Sequence, residues 1–60
     1  MDRFERAFRA MDASSQEVFR MNLELYRRTG ERKYAEEVLG ILRNFDDDAD
    51  VQAVINELQR

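Results

Sequence analysis

The feature that most constrains this chain is an apolar seam that advances by alternating steps of four and three residues through its first half. The seam consists of Phe4, Phe8, Met11, Ser15, Val18, Asn22, Leu25 and Thr29. Because residues at this spacing share one side of a helix, the seam predicts one helix, or two helices in the same phase. It indicates a chain that buries its apolar side chains by packing helix against helix.

The remainder of the chain also favours helix. It contains no proline, and its two glycines are Gly30 and Gly40. No segment alternates with the period of two that is typical of a half-buried strand. We predict an all-α fold in a single domain, residues 1–60, as a helical hairpin or a three- to four-helix bundle completed by dimerisation. The expected helices, of which the first two are either separate or continuous, span about 2–11, 15–29, 31–45 and 49–59.

Three local signals set the helix boundaries. Gly30, preceded by arginines, is typical of a helix C-terminus. Ser14 with Glu17 three residues later fits a capping box at the start of the second helix. Asp48 is placed to cap the last helix.

The second predicted helix has an unusually broad apolar surface. Its hydrophobic side chains sweep an arc of about 200°, which is wider than an ordinary amphipathic stripe. A chain of 60 residues has few other surfaces to cover that arc, and it has no cysteine for a disulfide. Since so small a domain buries only about 60% of its unfolded surface, we expect a homodimer held by this helix.

Two residues within the predicted helices point to a second chain. Asn22 lies among apolar neighbours, where a buried asparagine fixes the register of paired helices. Gly40 lies inside a helix, where a glycine is favoured by the close approach of another backbone. The predicted interface comprises Phe4, Phe8, Met11, Val18, Phe19, Asn22, Leu25, Tyr26 and Gly40.

Charge is distributed unevenly along the chain. Residues 1–33 hold eight basic and six acidic side chains, a net charge of +2, whereas residues 34–60 hold two basic and seven acidic ones, a net charge of −5. This asymmetry favours pairing of the two halves, within one chain or between antiparallel chains. Arg3, Arg6 and Arg9 line the outer face of the first predicted helix, and such a basic stripe offers contacts to nucleic-acid phosphates.

The composition argues against chemistry at an active site. The chain has no histidine and no cysteine, and it lacks a glycine-rich phosphate loop. We therefore expect no enzyme activity, no metal and no cofactor. No stretch approaches the roughly 18 apolar residues of a membrane span, and the charged N-terminus has no apolar run behind it. A cytoplasmic chain without membrane contact is the expectation.

Residues 19–46 resemble a tetratricopeptide-type helical hairpin. Phe19, Tyr26 and Gly30 match its aromatic and turn positions, and Ala35 and Leu39 match its packing positions. The resemblance implies binding of a peptide or protein. Together these features predict a small non-catalytic regulator or adaptor that acts through helix-mediated protein–protein interaction. The alternative is an RNA- or DNA-binding regulator that uses the arginine-lined helix face.

Overall fold

The computed structural model describes residues 2–60, which form four α-helices and no strand. The all-α class expected from the sequence is confirmed, whereas completion of the bundle by a second copy stays a prediction. A short 3₁₀ helix, Arg43–Phe45, follows the third α-helix. The α-helices are α1 (Arg3–Arg9), α2 (Ala13–Thr29), α3 (Arg32–Leu42) and α4 (Ala49–Gln59).

Helical structure is interrupted between α1 and α2, so the two do not form one continuous helix. Asp12 caps α2 by accepting a hydrogen bond from the amide of Ser15 at 3.0 Å. Hydrogen bonds from Ser15, through its side chain first and its amide second, hold the pKa of the Asp12 carboxyl below its ordinary value of 3.8. The predicted cap, Ser14, lies instead in the first turn of the helix, because Asp12, two residues earlier, takes the capping position and binds the free amide of Ser15.

Gly30 ends α2, as the sequence predicts. Its φ of +72° is in the left-handed region, which glycine adopts without strain, and its amide donates to the carbonyl of Tyr26 at 2.8 Å. The Thr29 hydroxyl donates to the carbonyl of Leu25 at 2.8 Å and accepts from the amide of Glu31 at 3.1 Å. These bonds fix a tight turn, and α3 then packs along α2 in the most extensive helix contact of the fold.

The acidic segment after α3 starts the last helix. Regular α-helix stops at Leu42, and the 3₁₀ turn carries the chain on to Phe45, the predicted end. The Asp48 carboxylate accepts hydrogen bonds from the amides of Asp50 at 2.8 Å and Val51 at 3.2 Å. The predicted cap of α4 is therefore confirmed.

The core is formed by all four helices. Besides its contact with α2, α3 packs against α4, and α1 packs mainly on α4. In α2 the buried side chains are Phe19 and Leu23. Val18, a residue of the predicted seam, is instead 41% exposed. The buried side of α2 is therefore not the side that the seam predicts. The buried core residues are Ala7, Met11, Phe19, Leu23, Ala35, Val38, Leu39, Leu42, Val51, Val54 and Leu58.

Candidate interaction site

One side of α2 faces solvent although its side chains are apolar. Val18 is 41% exposed and Met21 is 56% exposed, and these are the two large hydrophobic residues exposed within residues 2–60. Leu25 is half-buried and lies on the same side, seven residues after Val18 and four after Met21. We call these three residues the outer face of α2. The rest of the chain therefore covers only one side of the broad apolar arc predicted for this helix.

The outer face of α2 has a charged edge and a polar edge. Glu17, Glu24 and Arg28 lie along one edge by helical geometry, and the guanidinium of Arg28 is 3.0 Å from the carboxylate of Glu24. Asn22 lies on the other edge and lines a shallow groove with Lys33, Tyr34 and Glu37 of α3. The Asn22 side-chain amide donates to the carbonyl of Val18 at 2.9 Å. Within one copy, this asparagine is therefore satisfied locally, and its role in register stays a prediction.

A second feature is an open cleft between α1 and α2, with a volume of about 280 Å³. We call it the α1–α2 cleft. Its apolar lining consists of Phe4, Phe8, Phe19 and Leu23. The rings of Phe8 and Phe19 are 6.3 Å apart between centroids and tilted by 46°, a favourable aromatic contact.

The rim of the α1–α2 cleft has opposite charges on its two sides. Asp2 and Glu5 come from the α1 side, and Arg20 and Arg27 come from α2. The Asp2 carboxylate caps α1 by accepting from the amide of Glu5 at 2.9 Å. The guanidinium of Arg27 lies 5.2 Å from the centroid of the Phe4 ring, where it gains a cation–π contact and covers part of the cleft floor.

The structure divides the predicted interface residues among different environments. Met11 and Phe19 are 5% and 2% exposed and belong to the core, while Phe4, Phe8 and Tyr26 are half-buried. Gly40 is exposed, and within the described chain no heavy atom beyond its own helix backbone lies within 4 Å of a Cβ placed there. Met21 was missed as an interface residue. Its position three residues after Val18 and four before Leu25 was the available signal.

The arginines of α1 divide between ion pairs and solvent. The guanidinium of Arg3 is 2.8 Å from the Glu57 carboxylate, and that of Arg6 is 2.9 Å from the Asp50 carboxylate. Both pairs join α1 to α4, so the basic first half and the acidic second half pair within the chain, as the charge asymmetry predicts. Arg9 is exposed. Because two of the three predicted phosphate contacts already face carboxylates, this side of α1 offers little net positive charge to a nucleic acid.

No group of three or more acidic side chains within residues 2–60 is arranged to hold a metal ion. No helix in that part of the chain has both the length and the apolar character needed to cross a membrane. The sequence matches no protein-family model, and neither a curated protein nor a solved structure shows significant similarity to it. The tetratricopeptide resemblance therefore stays a prediction.

Proposed function

We propose that this chain is a non-catalytic regulatory or adaptor module that acts by presenting helix faces to other protein chains, and that one such partner is a second copy. The observation that supports this proposal is the exposure of Val18 and Met21 side by side on α2. Apolar side chains clustered on a surface are typical of an interaction site, whereas single ones are ordinary. A second copy laid along the outer face of α2 removes this surface from water in both chains.

An antiparallel arrangement of the two copies matches their apolar residues on the outer face of α2. When two copies of α2 pair antiparallel about a twofold axis near Met21, Val18 of each copy lies beside Leu25 of the other. The charged edge of one copy then meets the charged edge of the other, because a twofold axis of this kind brings equivalent edges together. Glu17 lies within reach of Arg28 across the interface, and this pair forms twice, while each Arg28 also keeps its ion pair with Glu24 of its own chain. A parallel pairing instead brings the charged edge against the edge that contains Asn22, and the pair is lost.

The contribution of Met21 follows from its exposure. A fully buried methionine gains about 1.5–3 kcal/mol relative to an exposed one. Because 56% of Met21 is still exposed, its burial in a dimer is worth about 1 kcal/mol or more in each chain. Two copies therefore give about 2 kcal/mol, so removal of this side chain weakens dimerisation about 30-fold.

Sedimentation equilibrium over a wide range of protein concentration tests this proposal. We expect the wild-type chain to shift from its monomer mass of 7.2 kDa toward twice that mass. Met21→Glu should stay monomeric, while the control Asn56→Glu, which adds the same charge at an exposed site on α4, should associate like the wild type. A wild-type chain that remains monomeric at millimolar concentration would contradict self-association through α2.

A charge exchange tests the antiparallel register. Glu17→Lys should weaken the dimer because it faces Arg28 of the other copy. Adding Arg28→Glu to the same chain should restore association, since the pair is rebuilt with its signs exchanged. Absence of this rescue, with both variants folded, would exclude the antiparallel register. Whether the outer face of α2 forms the interface is tested separately by Met21→Glu.

A further inference from the structure

The α1–α2 cleft has the dimensions of a receptor for a single side chain. Its volume of about 280 Å³ lies at the lower end of the roughly 300–1,000 Å³ typical of small-molecule sites. It is nevertheless larger than a cavity of about 150 Å³, which is sufficient to bind a benzene ring. Phe4 and Phe8 are half-buried beside it, so an apolar group that enters the cleft covers aromatic surface that this chain leaves accessible to solvent.

The charges at the rim leave one residue on each side available to a partner. Asp2 is engaged as a helix cap, and Arg27 lies over the Phe4 ring. Glu5 and Arg20, by contrast, are exposed and make no ion pair within residues 2–60. The cleft therefore combines an apolar floor with an acidic side on α1 and a basic side on α2.

We propose that the α1–α2 cleft binds one aromatic side chain from a helical segment of a partner protein, with acidic residues of that segment toward Arg20 and basic residues toward Glu5. In a helix, the residues three and four positions before and after an anchor share its face, so a helix laid across the cleft from α1 to α2 places charged flanks over both sides of the rim. This is the helix-in-groove mode of recognition, with one anchor and charged flanks.

This inference is independent of self-association. The cleft is lined by Phe4, Phe8, Phe19 and Leu23, whereas the outer face of α2 consists of Val18, Met21 and Leu25. The two sites share no residue. Binding is therefore measured in the Met21→Glu chain, so that a failure of dimerisation and a failure of cleft binding give different results.

The probes are four alanine-based helical peptides of about 20 residues. The first has a central phenylalanine with glutamates on one flank and lysines on the other, and the second and third have both flanks acidic or both flanks basic. The fourth is the first peptide with its phenylalanine replaced by alanine. Titration followed by amide chemical shifts should give the tightest binding for the first peptide, with shifts at Phe4, Phe8 and Arg20. Each uniformly charged peptide should bind about fivefold more weakly, and the fourth should not bind measurably.

Charge reversal at the rim provides the decisive comparison. Arg20→Glu should weaken binding of the mixed-charge peptide about fivefold and improve binding of the basic peptide. Arg43→Glu makes the same change in net charge at an exposed residue that does not line the cleft, and it should alter neither. Circular dichroism should show both variants folded, because both sites are exposed.

Three results would overturn the proposal. The first is equal binding of the peptides with and without phenylalanine, which would mean that the cleft does not take an aromatic anchor. The second is an equal effect of Arg20→Glu and Arg43→Glu, which would mean that only net charge matters. The third is binding of free acetyl-phenylalanine amide as tight as that of the mixed-charge peptide, which would indicate a small-molecule site without a role for the flanks.

Discussion

Two substitutions on α2 distinguish the core of the structure from the outer face of that helix. Met21→Ala and Leu23→Ala lie two residues apart on one helix and exchange residues of similar helix propensity for alanine. Leu23 is 7% exposed and belongs to the core, whereas Met21 is 56% exposed on the outer face. Any difference between the two variants therefore reports burial rather than helix formation.

The expected magnitudes follow from these exposures. A buried leucine exchanged for alanine costs about 2–5 kcal/mol, because the lost burial is accompanied by a cavity. Met21 is slightly less than half buried in the monomer, so its loss costs only about 1 kcal/mol. A domain of this length has a total free energy of unfolding of about 3–9 kcal/mol. Leu23→Ala should therefore remove a large part of the stability, and Met21→Ala a small part.

Urea denaturation followed by circular dichroism at a few micromolar protein measures both values. Thermal melting provides a second readout, since about 1 kcal/mol shifts the midpoint of so small a domain by about 4–8 °C. The melting temperature of the wild type should also rise with protein concentration, and that rise should be much reduced in Met21→Ala because the outer face is smaller.

Equal destabilisation by the two substitutions in dilute monomer would refute the assignment of Met21 to the outer face. Greater destabilisation by Met21→Ala would place the core on the outer face of α2 and invert the orientation of that helix. A concentration-independent melting temperature in both variants and the wild type would leave the fold intact but remove the argument for a dimer.

Three further substitutions test local features of the fold. Gly40→Ala should raise the free energy of unfolding in urea by about 0.5–1 kcal/mol, because Gly40 lies inside α3 with open space where a Cβ would stand. A weaker dimer in that variant would instead support the predicted backbone approach. Asp48→Ala should cost about 0.5–2 kcal/mol by removing the cap of α4, while exposed Asp47 tolerates alanine. The cap at Asp12 has a lowered pKa, so its contribution is present above about pH 4 and lost as pH falls through the folded value. Melting curves from neutral to strongly acidic pH should show that this loss is absent in Asp12→Ala.

Local sequence signals were sufficient for much of the secondary structure. Gly30 ends α2 and Asp48 begins α4 because each acts on its own neighbours, through a left-handed φ and through a carboxylate that accepts nearby amides. Such interactions span three or four residues and are legible without knowledge of the remaining chain. The competition between Asp12 and Ser14 was harder to predict, because both are good caps and stand two residues apart.

The candidate surfaces depended on information that local patterns lack. The apolar arc of α2 indicated that other helices cover a wide part of its surface. The periodicity did not indicate which part of the arc faces α3. The charge asymmetry predicted pairing of the two halves, yet only the docking of α1 on α4 selected Arg3 with Glu57 and Arg6 with Asp50. The α1–α2 cleft arises from the angle between two helices, which no spacing in the sequence encodes.

The sequence by itself thus determined that the chain is helical, where α2 ends and where α4 begins. It also determined that α2 has more apolar surface than one partner helix covers. The tertiary structure decided which residues use that surface. A break at Asp12 changes the relation between α1 and α2, so Phe19 and Leu23 enter the core while Val18 and Met21 remain in solvent. The physical reason is that periodicity specifies a face relative to its own helix axis, whereas burial depends on how separate helices are oriented against one another.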